Sequence, residues 1–169
     1  IIDGFTVSGG SANGMAKKGD IERCGGGWFN HGEGGTSNPT IQNCSFTNNF
    51  ARDGAALYNF ANEGVCNPQI INCEFIGNKA DLDGGAMFND SRMGICNPVL
   101  RDCRIIQNEA TYGGGILNYT DGGESSPSIN GCSFEDNIGY IRGGGIYSSE
   151  KGSGKCNPTI TASFFSDNK

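Results

Sequence analysis

Apolar and polar positions along this chain repeat on two scales. Within short segments they alternate, as in Cys44-Ser45-Phe46, Cys73-Glu74-Phe75 and Cys132-Ser133-Phe134. That two-residue period belongs to a strand with one face buried, and helical periodicity does not fit it. Over longer distances the whole pattern returns. The five prolines are Pro39, Pro68, Pro98, Pro127 and Pro158, spaced 29, 30, 29 and 31 residues apart. Two residues after each stands Ile41, Ile70, Leu100, Ile129 or Ile160; five after, Cys44, Cys73, Cys103, Cys132 or Ser163; seven after, Phe46, Phe75, Ile105, Phe134 or Phe165. An asparagine column (Asn49, Asn78, Asn108, Asn137, Asn168) follows, then a glycine column headed by Gly25, Gly54, Gly84, Gly113 and Gly143 that leads into apolar pairs such as Leu57-Tyr58 and Ile146-Tyr147.

Self-similarity at a period of about 20 to 50 residues marks a solenoid, in which each repeat covers its neighbour's apolar face. The pattern predicts short strands broken by turns at Asn-Pro, at the asparagine column and at Gly-Gly, each unit closing into one coil. The coils run approximately over 1–37, 38–66, 67–96, 97–125 and 126–156, with a partial coil at 157–169, as one domain. Stacked at roughly 4.8 Å, equivalent strands form parallel sheets and identical side chains lie over one another. An asparagine at a turn inside such a stack donates to one rung and accepts from the other. Proline, lacking the ladder donor, belongs at the first residue of a strand. The first coil departs from the rest: SANGMAKKGDIER adds a mixed-charge loop with Lys17, Lys18, Asp20, Glu22 and Arg23, expected to be a solvated protrusion.

Composition narrows the function classes. Of 169 residues, 18 are acidic and 12 are Lys or Arg, for a net charge of -6, which argues against a nucleic-acid partner. The 29 glycines exceed the usual share of roughly 7 %, and 12 of them fall in the glycine column, so the excess is positional. No apolar run spans a bilayer. The chain opens on IIDGFTVSGG without an initiator methionine and stops at FFSDNK as a new repeat begins, which predicts a piece of a longer protein. Neither end shows a polar cap, so further coils or another chain are expected to cover these sheet edges.

The pairing of Phe-x-x-Asn (FTNN, FIGN, FEDN, FSDN) with a glycine-led apolar segment (GAAL, GGAM, GGGI) resembles the repeats of chlamydial polymorphic outer membrane proteins, and equally the secreted bacterial right-handed parallel β-helix proteins. The resemblance covers nearly the whole chain, departing at Ile105 and in the first coil. It implies an all-β, right-handed, single-stranded parallel β-helix of about five coils of 29–31 residues, placed outside the cell or on its outer surface, often as an adhesin. It carries over no catalytic motif.

Candidate chemistry is sparse. Cys44, Cys73, Cys103 and Cys132 read as a reduced internal ladder of small apolar residues, with vertical disulfides as the rival, since adjacent rungs lie within the usual Cα separation for a bridge. Cys66 and Cys96 share one column near a turn and are the foremost pair for such a bridge; Cys156 shares that column beyond Ser125, and Cys24 has no partner in its own. A zinc site would need convergent ligands, and there is neither a CxxC nor a second histidine beside His31. Asp81 with Asp83, or Asp121 with Glu124, could hold calcium weakly, although solvated carboxylates are the simpler reading.

For a polysaccharide lyase or hydrolase the best acid–base cluster is Glu74, Arg101, Asp102, Arg104 and Glu135, within which Glu74 and Arg104 predict a surface ion pair. An ice-binding face would need a regular outward threonine column, whereas the position three after proline reads Gln42, Ile71, Arg101, Asn130 and Thr161. Sequons stand at Asn43, Asn89 and Asn118 and read as accidental in an Asn-rich chain. The reading favoured is an extracellular structural or adhesin-type β-helix module that displays a binding surface, with a polysaccharide-active enzyme and an ordered-surface binder as alternatives. No catalytic, cofactor or metal residue is assigned, and no cofactor. The partners implied are glycans or cell-surface proteins.

Overall fold

Strand by strand, the chain turns a corner every few residues and hydrogen-bonds to the coil before and after it rather than to itself. The computed structural model describes residues 1–169. It is all-β, a parallel β-solenoid of about five turns. Four sheets run along the stack, with six strands in each of the first two and five in each of the others. The first sheet holds Thr40–Gln42, the second Ser45–Thr47, the third Phe50–Asp53 and the fourth Leu57–Asn62, together with their equivalents in the other coils. The register follows the repeat: Ile41 pairs with Ile70, Phe46 with Phe75, Leu57 with Met87. No helix is long and apolar enough to cross a membrane.

The corners explain residue choices that apolar patterning leaves open. Between the first and second sheets the chain passes through the left-handed region at Asn43 (φ 52°), Asn72 (49°), Asp102 (53°), Gly131 (64°) and Ala162 (47°). A second left-handed corner follows at Asn48, Gly77, Gln107, Asp136 and Asp167. Asn, Asp and Gly tolerate this backbone better than other residues, so the Asn/Asp content beside the strands is conformational. At Gly54 (φ 61°) a second constraint applies, because an added Cβ would stand 3.0 Å from the Tyr58 side chain and 2.9 Å from the Leu57 carbonyl.

The interior is built of stacked identical rows. Ile41, Phe46 and Leu57 point inward with their equivalents in one cluster that includes Cys44, Cys73, Cys103 and Cys132. Phe46 and Phe75 lie face to face with centroids 5.1 Å apart, and Phe134 and Phe165 do so at 4.6 Å. Ala51, Ala80 and Ala110 line the third sheet in a small buried cluster of alanines.

The expected asparagine ladder runs through the stack. Asn78 Nδ2 donates to Asn108 Oδ1 at 2.9 Å and to the Phe46 carbonyl of the preceding coil at 2.9 Å, while its Oδ1 accepts from the Asn49 backbone N–H and amide, both at 3.0 Å. A second ladder, not anticipated from the sequence, lies inside the fourth sheet: Asn30 donates to Asn59, Asn59 to Asn89, Asn89 to Asn118, and Asn118 to Ser148, over 2.7 to 3.1 Å. Because Asn89 and Asn118 belong to it and are fully buried, two of the three sequons are closed to modification; Asn43 is exposed at its corner.

All eight cysteines are free thiols, which leaves the Cys66–Cys96 bridge unformed in this structure. Cys44, Cys73, Cys103 and Cys132 each direct Sγ at the carbonyl two residues earlier, 3.1 to 3.4 Å away. Ser163, next in that column, makes the same bond to Thr161 at 2.8 Å.

Candidate functional site

One face of the solenoid is not polar. Within the fourth sheet Leu57 points into the core while Tyr58, its neighbour, points out, so the apolar pairs after the glycines split between two faces as strand alternation requires. The outward column reads Phe29, Tyr58, Phe88, Leu117, Tyr147, and the next outward column His31, Phe60, Asp90, Tyr119, Ser149. An aromatic outer face this long would be exposed if the stack were regular.

The first-coil loop covers its early part, a correction to the solvated protrusion expected from its charges. Cys24, Tyr58, Phe60 and Phe88 become a small core of their own, and Gly19 lies against the Phe60 ring, where an added Cβ would stand 2.9 Å from Cζ. Charged residues pin the loop down: Arg23 bonds Asp53 and Lys18 bonds Asp83. The Lys18 ammonium also sits over the rings of Phe88, at 4.8 Å, and Tyr119, at 5.6 Å, a favourable cation–π setting. We term residues 13–24 the strap.

Under the strap the polar groups are mutually satisfied with one exception. Tyr58 Oη donates to Asp90 Oδ2 at 2.6 Å, and Arg92 grips both oxygens of Asp90 at 2.7 and 3.1 Å while lying over Phe60. Burial, and then the Asp90 charge, push the Tyr58 phenol well above its ordinary range. Burial likewise lifts the Cys24 thiol to about 11. The exception is Asp53, fully buried, whose Oδ1 has no hydrogen-bond partner although Arg23 holds Oδ2. Burial raises its carboxyl above the usual range, against the lowering pull of Arg23 and Lys18.

Beyond the strap the aromatic face opens into a cleft of about 380 Å³ lined by Lys18, Asp83, Tyr112, Leu117, Tyr119, Arg142, Tyr147 and Ser149. Tyr112 and Tyr147 are stacked with centroids 6.1 Å apart. Arg142 donates to Tyr147 Oη at 2.9 Å and holds that phenol below its ordinary range. Three other surface clefts have comparable volumes of about 300 to 390 Å³; what sets this one apart is its three tyrosines with a few polar groups, the composition of small-molecule sites.

The residues singled out from the sequence do not meet there. Glu74 and Arg104 form the expected ion pair, 2.6 Å apart on the second sheet, and with Asp102 they line a shallow groove at the first corner. Arg101 belongs to the first sheet, paired with Ile71 and Asn130. Glu135 stands opposite Ile106, in a different column from Glu74. The five residues therefore form no single constellation. Gln42, Ile71, Arg101, Asn130 and Thr161 do stack in register, as a column of mixed chemistry. Of the calcium candidates, Asp83 is bound by Lys18 and Asp121 by Lys151, while Glu124 accepts from Asn97. His31 is exposed, 3.3 Å from Glu33.

Comparison with known proteins gives one family match. Residues 43–59 match the Chlamydia polymorphic membrane protein (Chlamydia_PMP) repeat. This segment runs from the first left-handed corner through Phe46, Asn49 and Gly54 to the inner-ladder Asn59. Neither the curated proteins nor the solved structures gave a match.

Proposed function

We propose that this chain is a surface-displayed β-helix module that binds saccharides in the tyrosine cleft beyond the strap. The observation that carries the reading is the cleft itself: Tyr112, Tyr119 and Tyr147 stand half-buried around one opening, on a solenoid whose other outer columns are polar or mixed. Tyrosine combines an apolar ring face with a hydroxyl tip, which suits a sugar's C–H face and its rim of hydroxyls. The repeat matched by residues 43–59 takes its name from membrane proteins, which supports a place at a membrane surface. The rigid, regularly hydrogen-bonded stack suits a module that holds a binding face away from its anchor, as an adhesin does.

A glycan array probed with the whole chain tests this reading. Bound glycans should be lost by at least about tenfold in affinity in Tyr147→Ala and Tyr119→Ala, measured at a temperature where each variant keeps the parent's circular-dichroism spectrum, since both rings pack against the small core under the strap. An array without hits, or hits untouched by either substitution, would overturn it.

A further inference from the structure

At the outer edge of the third sheet, successive coils place Asp53, Asp83, Tyr112 and Arg142 in one column. Each acid of the column has a cation brought to it by the strap: Asp53 has Arg23, and Asp83 has Lys18. Arg142 has no acid within ion-pair distance. It is nevertheless oriented, since its Nη1 donates to Tyr147 Oη and its guanidinium carbon lies 5.8 Å from the centre of the Tyr147 ring. Arg142 is exposed, and a guanidinium held by one tyrosine alone keeps the remaining N–H groups of its fork for a planar anion.

Resting on the saccharide reading above, we infer that the cleft selects acidic saccharides, with a ring seated against the tyrosine wall formed by Tyr112, Tyr119 and Tyr147 and its carboxylate received by Arg142. The Lys18 ammonium lines the inner end of the same cleft but is already neutralised by Asp83. Among the residues of this sequence, Arg142, on the end strand of the third sheet, is therefore the one cation lining the cleft without a counter-charge. The rest of the protein works against the same ligand, because a net charge of -6 repels polyanions as a class. A preference for an acidic glycan must then come from a local contact and not from the overall field.

The test compares binding of an oligoglucuronate with that of its carboxyl-reduced, neutral counterpart to the whole chain by isothermal titration calorimetry. The acidic form should bind about three- to fivefold tighter, the scale of one charged contact to an exposed guanidinium. Arg142→Gln should erase that difference, so that the two forms bind the variant with equal affinity. Arg101→Gln, on the outward face of the first sheet, should leave the difference intact. Equal affinity for both forms, or a preference that survives in Arg142→Gln, overturns the acidic-saccharide inference and leaves the saccharide reading standing. Absence of binding by both forms, together with an empty glycan array, overturns both.

Discussion

Ser125 stands in the column of Cys66, Cys96 and Cys156, and its hydroxyl points at the Asn89 carbonyl, 3.4 Å away. The thiols of that column do the same one coil apart, Cys66 to Asn30, Cys96 to Asn59 and Cys156 to Asn118, at 3.6 to 3.7 Å. The column thus supplies a small side chain with a donor above each carbonyl of the inner asparagine ladder, and a hydroxyl performs the task as a thiol does. Alkylation under denaturing, non-reducing conditions should label eight thiols by mass spectrometry, and Cys96→Ser should cost under about 1.5 kcal/mol. Six labels would mean that a vertical bridge forms after all.

The buried ladder at Asn78 bears more stability than its size suggests. Replacing it by alanine leaves the Phe46 carbonyl and the Asn49 backbone N–H without these partners in a dry interior. A loss of about 2 to 4 kcal/mol is expected in urea unfolding. Asn62→Ala, at a strand end near solvent where the side chain bonds only Glu33, should lose less than about 1 kcal/mol. Equal losses would deny the ladder its part.

Phe75 is fully buried between Phe46 and Ile105, whereas Ile71 faces outward beside Gln42 and Arg101. Phe75→Ala should cost about 3 to 5 kcal/mol, and Ile71→Ala far less. Urea midpoints of the two variants decide it.

Asp53 gives the fold a pH dependence of unusual sign for a carboxylate. Its folded pKa is raised above the ordinary 3.8, chiefly by burial, so the native state holds that proton more tightly than the unfolded chain does. The stability this contributes is complete below the unfolded value and is lost as pH rises through the folded one. Asp53→Asn should therefore be equal to the parent in acid and gain on it as pH climbs toward neutrality. A difference in urea midpoint that stays constant over that interval would show that Arg23 fully compensates the buried charge.

Much of the architecture could be read from spacing alone. The Ile41, Cys44 and Phe46 columns sit inward in the order their alternation implies, and Asn49 bridges coils as a stacked amide should. The inner ladder was visible in principle, since Asn59, Asn89 and Asn118 recur at the same period, but each lies among large aromatic or charged neighbours that hide it in a polarity profile. The candidate site was not legible. Whether Tyr58 or Leu57 faces the core is a question of parity that either answer satisfies until the strand's start is known. The strap's cover depends on Lys18 meeting Asp83 across 65 residues of sequence, a contact that no periodic argument contains because the strap occurs once.

That single occurrence bears on the valency of the module. The inward columns are copied from coil to coil and the outward ones vary in place, whereas the strap has no counterpart in the other coils. The strap ends the covered stretch at Lys18, and on the function proposed above the cleft at Tyr112 and Tyr147 is the place it leaves open to a ligand in this chain. On that function, added coils would lengthen reach, and avidity would come from several chains side by side.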